Sequence, residues 1–171
     1  MSEITEFYDE LSENYHLIYA DWDEAVEQQG AALGRLIRDI LGPGPKRILD
    51  VACGIGTQAL GLACRGHEVT GTDLSPGAVA RARAEAERLG VALSAEVADL
   101  RNLPDALAGP FDVVCALDNA LPHLEGEAEL PAIAAQDRTV FHTGCSENRA
   151  DLHARADEGR CLHEVDLSHE V

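Results

Sequence analysis

The sequence predicts an α/β protein with a Rossmann-like, doubly wound and mostly parallel sheet, and three observations lead to this prediction. Segments typical of strands alternate with segments typical of helices from about residue 47 to residue 117. A Gly-x-Gly turn at residues 54–56 joins the first strand to the helix after it. An aspartate stands at or next to the end of each of the first three strands. The order β-α-β-α-β-x-β calls for parallel strands with right-handed crossovers.

An N-terminal arm precedes this pattern and is rich in both acidic and aromatic residues. Five of the seven aromatic residues of the chain lie within the first 23 positions. A solvated acidic helix does not need aromatic side chains, so we expect the arm to pack against the rest of the protein. Apolar residues recur at helical spacing over residues 23–41, and the Gly-Pro-Gly-Pro segment at 42–45 ends that helix.

Turn and capping residues set the limits of the alternating elements. Gly66 and Gly90 each follow a helical segment and are expected to end it. Ser75 and Pro76 are of the types preferred as an N-cap and as a first-turn residue. We expect strands at residues 47–51, 68–72, 92–98 and 111–117, and helices at residues 57–65 and 76–89.

The alternation fails beyond about residue 136. Residues 127–135 are compatible with a helix, and residues 139–142 have only a weak strand pattern. We therefore expect a sheet that is incomplete after the fourth strand, with one domain over residues 1–136 and an atypical tail over residues 137–171. The open edge of the fourth strand would then need a cover, such as a second copy of the protein in a homo-oligomer.

Charge and composition exclude several classes of function. The chain carries 31 acidic residues against 13 Lys and Arg, a formal net charge of -18, and residues 1–34 contain no Lys or Arg. Such a surface repels phosphate groups, so neither nucleic acid nor a membrane is an expected partner. With five cysteines and no segment typical of a leader or a membrane span, we expect a soluble cytoplasmic protein. The histidines and cysteines of the tail lack the spacing of a zinc site, so no metal is expected: His142, Cys145, Cys161 and His163.

The ends of the predicted strands form the candidate binding site. Gly54 and Gly56 would let a ligand approach the backbone closely at the carboxyl end of the sheet. Asp73 ends the second strand, where a carboxylate can accept hydrogen bonds from ribose hydroxyls, and Asp99 follows the third strand within reach of an adenine. Each residue alone is also compatible with a structural turn or a helix cap. A nicotinamide dinucleotide is a further alternative, which Asp50, four residues before the first glycine, disfavours.

Several segments together resemble the class I S-adenosylmethionine-dependent methyltransferases, over about residues 5–135. They are residues 50–56 (Asp-Val-Ala-Cys-Gly-Ile-Gly), 69–75 (Val-Thr-Gly-Thr-Asp-Leu-Ser), 98–100 (Ala-Asp-Leu) and 111–117 (Phe-Asp-Val-Val-Cys-Ala-Leu). The loop at residues 117–124 (Leu-Asp-Asn-Ala-Leu-Pro-His-Leu) resembles the loop after strand four of glycine/sarcosine N-methyltransferases.

The resemblance implies a role for each matching position. S-adenosyl-L-methionine would be the cofactor, S-adenosyl-L-homocysteine the product, and residues 1–41 a helical lid over the site. Asn119 and His123 would be the catalytic residues beside the methyl acceptor. Asn119 is also compatible with a turn-forming role, and His123 with a structural hydrogen bond. The cofactor would contact Tyr15, Trp22, Asp50, Ala52, Gly54, Gly56, Asp73, Leu74, Asp99, Leu100 and Leu117.

The function that the resemblance implies is methyl transfer to a small-molecule acceptor, most simply the nitrogen of an amine such as glycine or sarcosine. Such an enzyme must align a neutral amine behind the methyl group and exclude water, and it needs no nucleophilic side chain. The alternative is a non-catalytic or degenerate protein that binds S-adenosylmethionine, because the half of the fold that selects a substrate is short here.

Overall fold

Six short strands and three α-helices form the fold within the residues that the computed structural model describes: 9, 12, 14–103, 107, 110–117, 139–143 and 162–165. A 3-10 helix at Tyr15–Ile18 precedes them. The helices are α1 Trp22–Leu41, α2 Thr57–Ala63 and α3 Pro76–Leu89. The strands are β1 Arg47–Asp50, β2 Glu68–Asp73, β3 Leu93–Val97, β4 Val113–Ala116, β5 Thr139–Thr143 and β6 Leu162–Val165.

The six strands form one parallel sheet in the order β3-β2-β1-β4-β5-β6. The order reverses between β1 and β4, where Leu49 lies opposite Val114 and Asp50 opposite Cys115. In doubly wound sheets a ligand binds outside the carboxyl ends of the strands at such a reversal. The fold class predicted from the sequence is therefore confirmed, and the reversal places the candidate site next to Asp50.

The predicted elements before residue 117 agree with the structure to within a few residues, and the capping residues explain their limits. Ser75 caps α3, since its side chain accepts a hydrogen bond from the Ala78 N–H. Gly90 ends the same helix in the left-handed conformation, with a φ of 68°. Asp21 caps α1 by accepting from the Glu24 N–H.

The sheet extends further than the sequence predicts. β5 pairs with β4 and β6 pairs with β5, which corrects the expectation of a sheet incomplete after the fourth strand. Polar residues interrupt both of the added strands, so their apolar pattern is too short to predict a strand. The edge of β4 that a second copy was expected to cover is paired with β5. The predicted helix at 127–135 lies outside the described residues, and the boundary at residue 136 stays a prediction.

The helices α1 and α2 pack against each other at unusually short range. A Cβ added to Gly61 would lie 2.8 Å from the Gly30 Cα and would also meet the carbonyl oxygen of Val26. Beside this contact, the Gln58 Nε2 donates to the Gln29 Oε1 at 2.7 Å, and both side chains are buried. The two helices cover a core cluster that includes these residues: Leu33, Ile37, Ile48, Leu62 and Val113. None of the helices in the described residues has the length and apolar character needed to cross a membrane.

Candidate functional site

The turn between β1 and α2 uses its two glycines for different purposes. Both have positive φ, 54° at Gly54 and 96° at Gly56, a conformation that favours glycine. A Cβ on Gly56 would press against Leu60 and Ala82 at 3.1 and 3.2 Å, so this glycine lets the turn pack on the core. A Cβ on Gly54 would meet nothing within 4 Å. Gly54 is therefore the position where a ligand can approach the backbone.

The carboxylate of Asp73 connects this turn to the start of α3. Its Oδ2 accepts from the Gly54 N–H and its Oδ1 from the Ser75 N–H, each at 2.9 Å. Burial raises the pKa of Asp73, and the backbone N–H donors of Ser75 and Gly54 partly offset that rise. Each carboxylate oxygen has two lone pairs, so each can accept one further hydrogen bond. Asp73 therefore fixes the two turns relative to each other and keeps the capacity to bind a ligand.

Asp50 lies beneath the turn, with 1 % of its surface exposed. Its Oδ1 accepts from the Ala52 N–H at 3.4 Å, a long hydrogen bond. Burial chiefly raises the pKa of both neighbouring thiols, Cys53 and Cys115, and the charge of Asp50 contributes to each shift. These buried thiols therefore stay protonated, and both pack in the core. Asp50 supports the turn from below.

Asp99 forms an ion pair with Arg101, a residue that the sequence analysis did not single out. The Arg101 guanidinium donates from Nη2 to Oδ2 at 2.6 Å and from Nε to Oδ1 at 2.9 Å. The Arg101 side chain holds the pKa of Asp99 below its usual value. The signal was local, since an arginine two residues after the aspartate can fold back onto it.

Two leucines flank the carboxylates in different environments. Leu74 follows Asp73 and exposes 37 % of its surface, whereas Leu100, next to Asp99, is buried. An exposed leucine at the carboxyl end of a strand offers an apolar surface to a planar ring. Leu117 is buried directly after β4, beside the Asp50 end of β1.

The described aromatic residues of the arm pack in or against one core cluster, to which α1, α2 and α3 all contribute. Trp22 is 8 % exposed, and its Nε1 donates to the Thr57 Oγ1 at the start of α2, at 3.2 Å. The Arg88 guanidinium lies 5.9 Å from the centre of the Trp22 ring system. Tyr15 and Tyr19 pack, partly buried, against the same cluster. The packing predicted for the arm is thus observed for these three aromatic residues, and Trp22 has a structural role next to the turn.

Asp9 attaches the arm to the first turn of α3, a second contact that the sequence did not indicate. Its Oδ1 accepts from the Gly77 N–H at 2.7 Å and from the Ser75 hydroxyl at 2.8 Å. The hydrogen bond from the Gly77 N–H, and to a smaller extent the one from the Ser75 hydroxyl, lowers the pKa of Asp9. A chain of hydrogen bonds therefore runs from Asp9 through Ser75 and Asp73 to Gly54.

We expect the substitution Asp9→Ala to release the arm. Without the carboxylate the Gly77 N–H and the Ser75 hydroxyl lose their acceptor, and the arm keeps only its aromatic contacts. Chymotrypsin should then cut after Tyr15 and Tyr19 severalfold faster than in the parent protein. Gly77→Ala should act alike, because its Cβ would lie 2.6 Å from the Ser12 Oγ. Asp39→Ala, an exposed position on α1, is the control, and equal cleavage in all four proteins would contradict the expectation.

The structure thus brings together Asp50, Ala52, Gly54, Gly56 and Asp73 at the reversal of the strand order. Asn119 and His123 lie outside the described residues. Among the residues with described side chains, no group of three or more His, Cys, Asp or Glu could hold a metal ion.

Comparisons with known proteins point to one family. A family described as a methyltransferase domain matches residues 48–144. A glycine/sarcosine N-methyltransferase from Parasynechococcus marenigrum (strain WH8102) is 33% identical over 125 residues, covering 72% of this chain and 43% of the relative. A 23S rRNA (uracil(1939)-C(5))-methyltransferase from Stenotrophomonas maltophilia is 51% identical over 55 residues, covering 32% of this chain and 12% of the relative.

Among solved structures, the fold is similar to that of magnesium protoporphyrin IX methyltransferase from Synechocystis PCC 6803 with bound SAM. The TM-score is 0.72 at 20% identity, and the match covers 91% of this chain and 83% of the other. This likeness concerns the fold alone. The matched part of the chain spans 43% of the length of the glycine/sarcosine relative.

Proposed function

Since the chain belongs to the methyltransferase-domain family of class I S-adenosylmethionine-dependent methyltransferases, we propose that it transfers a methyl group from S-adenosylmethionine to the nitrogen of a small amine. The observation that supports this most directly is the position of Asp73. It lies at the carboxyl end of β2, beside the reversal of the strand order, and its two hydrogen bonds join the Gly54 turn to α3.

The residues of the turn fit the cofactor. The two oxygens of Asp73 would each accept a ribose hydroxyl in addition to the backbone N–H that each already binds. Gly54 would lie against the amino-acid portion, where its open side leaves space. Leu74 would cover one face of the adenine, and Asp99, oriented by Arg101, would accept from the adenine amino group. Asp50 and Ala52 would hold the turn in shape from below.

When bound, S-adenosylmethionine supplies an electrophilic methyl group on a sulfonium ion. The protein then has to orient a neutral amine and keep water away from it, and positioning of this kind lowers barriers by roughly 7–11 kcal/mol. We assign Asn119 to hold the amine by hydrogen bonding and His123 to accept its proton, with Leu117 beside the methionyl portion. Tyr15 would lie over the cofactor, and Trp22 would contribute by fixing the arm through Thr57.

Two considerations favour a small amine over RNA as the acceptor. The match to the glycine/sarcosine N-methyltransferase covers 72% of this chain, against 32% for the match to the rRNA enzyme. The net charge of -18 also opposes binding of a polyanion. A glycine-like acceptor also carries a carboxylate, but one cationic group is enough to neutralise that single negative charge. The cytoplasmic location and the oligomeric state stay predictions.

The proposal is tested by calorimetry with S-adenosylhomocysteine, followed by an assay with methyl-labelled S-adenosylmethionine. Glycine, sarcosine, several larger amines and a short RNA are offered separately as acceptors. We expect binding of S-adenosylhomocysteine and label on glycine or sarcosine. Label on RNA alone would contradict the acceptor class. Binding without any transfer would identify a non-catalytic cofactor-binding protein, and absence of binding would contradict the whole proposal.

We expect the affinity for S-adenosylhomocysteine to fall at low pH, and to begin falling at a higher pH than an ordinary aspartate would dictate. Only the ionised carboxylate of Asp73 offers both oxygens as acceptors to the ribose. Because burial raises its pKa above 3.8, protonation sets in earlier as the pH falls. Calorimetry across the pH range in which circular dichroism shows a folded protein measures this. Asp73→Asn should remove the dependence, and an unchanged profile in that variant would contradict the assignment.

A further inference from the structure

A second concave surface lies at the opposite end of the sheet from the proposed cofactor site. It is a cavity of about 520 Å³ that opens beside the segments leading into β1 and β2 and beside the second half of α1. Its size lies within the range of pockets that bind small molecules. The charged and titratable side chains that line it are Arg35, Arg38, Arg65 and His67. Because the cavity lies at the amino ends of the strands, it is separate from the proposed cofactor site.

The lining is cationic although the protein as a whole is strongly anionic. Among the described residues, three arginines and no acidic residue line the cavity, in a chain whose net charge is -18. Lys46 is bonded to this lining, since its backbone N–H donates to the His67 Nδ1 at 3.1 Å, while its ammonium group donates to the Pro43 carbonyl at 3.4 Å. This bond assigns the ring proton of neutral His67 to Nε2, which makes that atom a donor.

Two of the lining groups are held in place by the fold. The Arg65 Nη1 donates to the Gly61 carbonyl, and its Nη2 donates to the backbone carbonyl and the carboxylate of Glu27, all at 2.8 Å. His67 is fixed by the Lys46 backbone. Burial, and then the charges of Lys46 and Arg65, lower the pKa of His67. The imidazole thus experiences a positive local potential even though Glu27 partly neutralises Arg65.

Helix dipoles account for only part of this arrangement. Arg38 lies in the last turn of α1 and Arg65 lies two residues after α2, and cations are favoured at such ends. That effect fades within the last turn, yet Arg35 lies one turn earlier on the same face as Arg38, and His67 adds a donor. Guanidinium groups carry planar, forked N–H donors that suit phosphate oxygens, and three of them line this cavity together with the His67 imidazole.

We propose that this cavity binds the diphosphate group of a small phosphorylated molecule, with Arg35, Arg38 and Arg65 as its cationic partners and His67 as a neutral donor. A diphosphate presents several oxygens to separate donors at once, which a single carboxylate does not. The rest of the protein surface repels anions, so the cavity would select a compact anion over an extended polyanion.

The probe is inorganic pyrophosphate, titrated calorimetrically into the parent protein in metal-free buffer at constant ionic strength. Parallel titrations use inorganic phosphate, adenosine diphosphate and a short single-stranded RNA. Arg35→Gln and Arg38→Gln each remove one cation from the cavity. Arg81→Gln is the matched control, because it changes the net charge equally and lies on α3, outside the cavity, where Glu85 keeps Arg88 as a partner.

We expect saturable pyrophosphate binding in the parent protein and in Arg81→Gln, weakened at least about tenfold in each cavity variant. Tighter binding of adenosine diphosphate than of pyrophosphate would support a nucleotide as the source of the diphosphate. Equal weakening in Arg81→Gln would overturn the proposal, since only overall charge would then matter. RNA binding without pyrophosphate binding would overturn it too. A lower melting temperature in Arg38→Gln with no pyrophosphate binding in the parent protein would show that the arginines serve the helix ends alone.

Discussion

The substitution Gly61→Ala is expected to destabilise the protein by about 2–3 kcal/mol, because the new methyl group has no space. Its Cβ would lie 2.8 Å from the Gly30 Cα and would meet the Val26 carbonyl oxygen. Both neighbours are backbone atoms of α1, so they cannot move aside as a flexible side chain does. The two helices would have to separate, which would also break the buried hydrogen bond between Gln58 and Gln29.

Gly34→Ala on the same face of α1 is the matched control. Its Cβ would lie 3.1 Å from the Arg65 Cδ, part of a side chain that can shift. The gain in helix propensity of about 1 kcal/mol should offset that contact, so stability should stay close to that of the parent protein. Urea unfolding followed by circular dichroism measures both variants. Similar unfolding midpoints for the two would show that the helices do not approach as closely as described.

The substitution Asp73→Ala is expected to lower the affinity for S-adenosylhomocysteine by about a hundredfold or more. It would remove the two charge-assisted hydrogen bonds that we propose between Asp73 and the ribose, and it would also free the Gly54 N–H and the Ser75 N–H. The turn that would receive the cofactor then loses its connection to α3. Calorimetry with S-adenosylhomocysteine measures the loss, and circular dichroism verifies the fold.

Asp112→Ala provides the control for this variant. The Asp112 carboxylate also accepts a backbone N–H, from Arg47 at 2.8 Å, but it lies before β4 at the far end of the sheet. Its removal should leave the affinity within about twofold of the parent value. Asp73→Asn, which keeps the size of the side chain, replaces Asp73→Ala if that variant does not fold. Retention of full affinity in both Asp73 variants would remove the basis for the ribose assignment.

Local signals in the sequence were enough for the first four strands and for the turn. The Gly-x-Gly segment and Asp73 each follow a segment typical of a strand, and a parallel sheet brings the carboxyl ends of neighbouring strands together, so their proximity could be predicted. The hydrogen bonds within the site could not be predicted from the sequence, because they join residues that lie far apart along the chain. Asp73 bonds to Gly54 across 19 residues, and Asp9 bonds to Gly77 across 68.

The features that the sequence did not predict also depend on contacts between separate segments of the chain. β5 and β6 pair with the adjoining strand through their backbone, and such pairing leaves little trace in the side-chain pattern. The packing of Gly61 on Gly30 depends on the crossing of two helices, and an isolated glycine within a helical pattern does not indicate its partner.

The reversal of the strand order has a consequence for folding. β1 pairs with β2 through residues about 21 positions apart, Ile48 and Val69, but it pairs with β4 through Ile48 and Val113, about 65 apart. Closing the longer loop costs more chain entropy, so the β1–β2–β3 unit should form first and β4 should dock late. A molecule bound across β1 and β4 would then hold the last-formed contact closed. Cofactor binding should therefore slow unfolding more than it speeds folding.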